Sequence, residues 1–145
     1  MKNNEEHIIE LQTLLSRNTD AVKGFKQVAE SASNESLQTF CHMNALEREG
    51  FVTDLGERIK QLGESPEDEF NLQAYLHRKW IDIKSLVNSA SKEEMIAECK
   101  RGADSMIADY MAAVESGKLD VESRRLIGSQ LQAIQQHAHR IELIK

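Results

Sequence analysis

A single proline and seven glycines interrupt this chain of 145 residues, too few turn-formers for a sandwich or barrel of many short strands. Aromatic residues make up only 5% against 40% hydrophobic residues overall, and this balance favours helices. The two cysteines, Cys41 and Cys99, have no metal-type spacing and are read as isolated, reduced structural thiols, with Cys99 inside an apolar stripe. The net charge is −6 and no window gathers Lys and Arg along a face, so the electrostatic footprint of a nucleic-acid binder is missing. No stretch approaches the roughly 20 apolar residues of a membrane span. The segment Met1–His7 lacks the apolar run of a signal peptide, so the expectation is a soluble, cytoplasmic protein. Neither a Gly-rich phosphate loop nor a local nucleophile signature is present.

What the chain does have is an unbroken apolar stripe. Ile8, Leu11, Leu15, Asn18, Val22, Phe25, Ala29 and Ala32 recur at steps of three and four residues, which lines one face of a long helix with Asn18 at its midline. A second helix carries Leu37, Phe40, Cys41, Asn44, Arg48, Phe51, Leu55, Ile59 and Leu62 between a cap at Ser33-Asn34 and a stop at Gly63. Ser65-Pro66-Glu67-Asp68 reads as the cap and first turn of a third, with Leu72, Leu76, Trp80, Ile83 and Val87 as its stripe. Ser91-Lys92-Glu93-Glu94 is a capping box that opens a fourth helix, which ends at Gly117, and Asp120 caps the last. The expected spans are about 4–32, 34–62, 66–88, 92–116 and 120–144, all in one domain covering 1–145. Gly24, Gly50, Gly56, Gly102 and Gly128 fall inside helices. There they are expected to permit close helix approach, except Gly50 and Gly56, which fall on the outer side of the second helix and have no assigned role.

Short turns make antiparallel hairpins of the first two and the last two long helices. A crossover of about 27 residues between the hairpins matches a ferritin-like antiparallel four-helix bundle with an extra helix in the connection. An extended helical adaptor is the alternative, because periodicity does not prove that the bundle closes. The run Leu76-His77-Arg78-Lys79-Trp80-Ile81-Asp82-Ile83-Lys84, with Glu98-Cys99-Lys100-Arg101-Gly102 and Arg48-x-x-Phe51, resembles a family of small bacterial ferritin-like four-helix-bundle proteins, the domain of unknown function 2383. The resemblance implies the bundle fold and brings no established activity.

Dimetal bundles point Glu from two helices and Glu-x-x-His from two others inward. Here the polar residues at stripe midlines are Asn18, Asn44, Arg48 and Gln130, none a carboxylate. Glu47-x-x-Gly50 and Gln136-x-x-His139 are each one residue short of a ligand pair, and Glu98 lies off its stripe. The antiparallel hairpin sets Arg48 beside Asn18. Two outcomes are open: a buried guanidinium held by Asn18 and a carboxylate such as Glu98 or Glu47, or a side chain that snorkels to solvent.

These readings point to a non-catalytic structural or partner-binding protein, without cofactor. It would act as a dimer or with a protein partner, and not with nucleic acid or a membrane. Opposite patches invite self-association: the basic step His77-Arg78-Lys79 and the acidic side formed by Glu94, Glu98, Asp104 and Asp109. The rival reading is a degenerate iron or manganese site, or an oxidoreductase, built on Glu47, Glu98 and His137.

Overall fold

Among the described residues three other helices pack with the stripe beginning at Ile8, burying Ile8, Leu11, Leu15, Asn18, Ala29 and Ala32 and leaving Val22 and Phe25 half-buried. The computed structural model describes residues 2–65 and 91–144, with side chains from residue 5 onward. The crossover helix expected at 66–88, with its Trp80 stripe and basic step, lies outside the described residues. Helix α1 spans Lys2–Ser31, α2 Glu35–Gln61, α3 Lys92–Glu115 and α4 Val121–Arg140, and no strand occurs among the described residues.

Local chemistry sets the helix ends. Asn34 accepts the Leu37 amide at the start of α2, and Ser91 and Glu94 close a reciprocal capping box at the start of α3. Asp120 accepts the Ser123 amide at the start of α4. Gly63 (φ 90°) and Gly117 (φ 74°) take the left-handed conformation after α2 and α3, which costs a glycine nothing and any other residue a steric penalty. The last helix stops short of the expected end: the α-helix finishes at Arg140 and tightens into a 3-10 turn over Ile141–Leu143. That turn seats Ile141, 2% exposed, against the apolar cluster at this end of the bundle.

Two apolar clusters stack along the bundle. One joins Leu11 and Leu15 of α1 to Ile59 of α2, Ala113 of α3 and Ile127 of α4. The other joins Val28 and Ala32 of α1 to Cys41 of α2, Cys99 of α3 and Ile141. The start of α1 therefore lies with the end of α2, and the end of α3 with the start of α4, so each pair is antiparallel. Helices α2 and α3 run in the same direction, since Cys41 and Cys99 near their starts share one cluster and Ile59 and Ala113 near their ends share the other. Each fully buried Leu or Ile contributes roughly 1.5–3 kcal/mol, so the clusters supply the main drive to fold. Among the described residues no helix is long and apolar enough to cross a membrane.

Gly102, Gly128 and Gly56 depart from expectation, and Gly50 does not. A Cβ added at Gly50, Gly102 or Gly128 would meet nothing within 4 Å, so these three do not mediate close packing. Gly56 is buried, not on the outer side of α2. With no clash to set against the gain in helix propensity, Gly50→Ala raises the unfolding free energy by about 0.5–1 kcal/mol, measured by urea denaturation.

Candidate functional site

A layer of buried polar residues interrupts the apolar interior. Asn18, Asn44, Arg48 and Gln130 stand in it at 0%, 3%, 2% and 3% exposure, and the Tyr110 phenol joins them from α3. Asn18 Nδ2 donates to the Leu14 carbonyl (2.8 Å) and to the Tyr110 hydroxyl (2.7 Å), which in turn donates to Gln130 Oε1 (2.7 Å). One hydrogen-bonded chain thus ties α1, α3 and α4 together at mid-bundle. Burial pushes the Tyr110 phenol up to about 12, against the lowering effects of the Asn18 hydrogen bond and the nearby Arg48 charge. Asn44 is satisfied within its own helix, donating to the Phe40 carbonyl at 2.9 Å.

Arg48 is the unusual member. Its guanidinium neither snorkels nor pairs: it is buried, forms no hydrogen bond or ion pair among the described residues, and its Nε is without a partner. Its Cζ lies over the face of Phe25, 5.6 Å from the ring centroid. Burial pulls its pKa below the ordinary arginine value, opposed by Tyr110 and Glu47. The expected carboxylates are engaged elsewhere. Glu98 pairs with Arg101 one turn along α3, and Glu47 Oε1 lies 2.8 Å from His137 Nδ1, off the line of a hydrogen bond. Of the three candidate metal ligands, two meet and Glu98 stands with Arg101. Among the described residues no three His, Cys, Asp or Glu side chains are grouped as a metal would need.

Beside the layer, α1 and α3 diverge around a cavity of about 420 Å³. Ala21, Phe25, Val28, Ala103 and Met106 give it apolar walls, and Arg48 reaches it from α2. Arg17 and Arg101 also border it, matched by Asp109 (3.4 Å from Arg17 Nε) and Glu98.

Two further clusters have little or no sequence signature. At the α1 start, His7 Nε2 is 2.7 Å from Ser123 Oγ, both buried, and Arg58 Nε donates to that oxygen at 2.9 Å while its Nη2 meets Asp120 at 2.6 Å. His7 could have been found by extending the α1 stripe four residues back from Leu11. Ser, His and Asp meet here, but Asp120 approaches the same ring nitrogen as Ser123 (3.8 Å), so it cannot orient the imidazole as a base. Ser123 is also fully buried, and the cluster is an interhelical clasp.

Burial lowers the His7 pKa below 6.5, its effect exceeding the attraction of Asp120. For Asp120 burial works upward, but the Ser123 and Arg58 hydrogen bonds outweigh it and hold the carboxyl below its usual value. In both cases the unfolded chain binds more protons, so stability rises with pH. The His7 contribution is complete above pH 6.5 and is lost as pH falls toward its folded pKa; the Asp120 contribution follows at lower pH. The urea midpoint therefore drops between pH 7 and 5, and His7→Gln flattens that slope.

At the other end, Cys41 of α2 and Cys99 of α3 lie in one apolar cluster, neighbours in the fold although their spacing separates them. The nearby Cys99 thiol, with burial, pushes the Cys41 thiol well above its ordinary value, and both sulfurs are free of disulfide.

An all-α arrangement, with four long helices among the described residues around a buried amide–phenol–guanidinium layer, defines the class. The chain belongs to the family described as Domain of unknown function (DUF2383), whose model matches residues 6–116. The match takes in Asn18, Arg48, Glu98 and Tyr110 and stops before α4, which carries Gln130 and His137. No curated protein matches the chain.

Proposed function

We propose that this chain is a ferritin-like bundle of the bacterial cytoplasm that works without catalysis, as a structural or partner-binding protein. Ferritin-like connectivity is supported by the shared direction of α2 and α3, because the stretch between Ser65 and Ser91 then joins opposite ends of the bundle. A reducing compartment suits two buried, unlinked thiols in one apolar cluster.

One observation carries the non-catalytic reading. The level at which dimetal bundles point carboxylates inward is filled by the Asn18–Tyr110–Gln130 chain and the Arg48 cation. A divalent ion beside a buried guanidinium would be repelled by several kcal/mol at the low effective dielectric of an interior. Association through the surface is supported by Met43 and Leu46, one turn apart on α2 and 52% and 68% exposed. A dimer or a protein partner would cover them.

The Glu47–His137 contact favours the second reading, a degenerate iron or manganese site. Elemental analysis after loading with iron(II) or manganese(II) and desalting separates the two. The proposal expects far less than one ion per chain. Near-stoichiometric metal, lost in Glu47→Ala and His137→Ala, would overturn it.

A further inference from the structure

We propose that the cavity between α1 and α3 binds a small organic monocarboxylate with an apolar body, anchored by Arg48. A buried guanidinium needs an anion or several acceptors, and Arg48 has neither among the described residues although it is 98% removed from solvent. It reaches the cavity, so an anion there could meet its planar fork through two parallel N–H bonds, a geometry that a carboxylate fits. The other cations on the wall do not compete: Arg17 is matched by Asp109 and Arg101 by Glu98. Phe25 presents its ring face to the guanidinium, while Val28, Ala103 and Met106 offer apolar contact to the rest of the ligand. A volume of about 420 Å³ lies within the range of small-molecule sites. The inference goes beyond the structural reading, and its test reads carboxylate binding, which neither dimerisation nor metal content reports.

Calorimetric titration of the full chain with hexanoate, hexan-1-ol and inorganic phosphate tests it. Hexanoate is expected to bind saturably and raise Tm, with hexanol and phosphate at least about tenfold weaker. Arg48→Met removes the cation, and binding falls by the same factor or more. Gly102→Phe leaves Arg48 in place and projects a ring from an open position on the cavity wall, so it also blocks binding without threatening the fold. No binding of hexanoate would overturn the proposal. So would unchanged affinity in Gly102→Phe or in folded Arg48→Met, or phosphate binding as tightly as hexanoate.

Discussion

Tyr110→Phe lowers the unfolding free energy by about 2–4 kcal/mol, although it removes one oxygen and leaves no cavity. Among the described residues the hydroxyl is the only link between Asn18 Nδ2 on α1 and Gln130 Oε1 on α4, at 2.7 Å to each. Both partners are essentially shut off from water, so neither can recover a bond from solvent. Gln130 suffers most, because its Nε2 already has no partner and the substitution orphans its oxygen as well. Each newly unsatisfied group costs roughly 1–3 kcal/mol, while Asn18 keeps its bond to the Leu14 carbonyl. Urea denaturation should show a lower midpoint at unchanged slope. The mechanism has a second signature at high pH. The phenol ionises near 10 in the unfolded chain and at about 12 when folded, so its contribution is complete below pH 10 and lost as pH rises through 12. Tyr110→Phe abolishes this alkaline limb. If the cost comes from orphaned groups, adding Gln130→Leu to Tyr110→Phe restores stability, because replacing both partners by apolar groups is nearly neutral.

Much of this layer is visible along the chain, and the part that is not has a physical reason. Asn18, Asn44, Arg48 and Gln130 stand out because each is a polar residue at an apolar stripe position, a property of one helix alone. The helix ends are equally local: Asn34, Ser91 and Asp120 bond amides three residues on, and Gly63 and Gly117 supply a conformation other residues avoid. Tyr110 sits in the Met106–Ala113 stripe as if it were merely apolar. Its central role depends on where its hydroxyl falls between two other helices, and no single-helix pattern encodes that. The same holds for the nearness of Cys41 to Cys99 and the contacts of His7 with Ser123 and Glu47 with His137, each set by helix crossing geometry. For Arg48 the stripe position indicates burial or snorkelling but not its partner. The carboxylates expected beside it, Glu98 and Glu47, lie instead with Arg101 and His137, and an aromatic face stands against the guanidinium.

Arg48→Met raises the unfolding free energy by about 1–3 kcal/mol, a gain from removing a charge. Holding a guanidinium in an apolar interior costs several kcal/mol even after relaxation. The contact with Phe25 returns only about 0.5–2 kcal/mol, and among the described residues no ion pair adds to it. Methionine fills most of the aliphatic volume of the arginine stem and adapts to the surrounding side chains, so little cavity is left in exchange. Arg48→Lys keeps the charge but replaces the weakly hydrated guanidinium facing Phe25 with a more strongly hydrated ammonium, and stability should fall below wild type. If Arg48→Met instead destabilises the protein, the cation is a structural element held by contacts worth more than its desolvation. If it stabilises the protein and abolishes hexanoate binding, the two effects have one cause. A bundle that keeps a destabilising cation at the edge of a cavity does so because an anion is meant to complete the pair, as expected where stability is given up for a binding site.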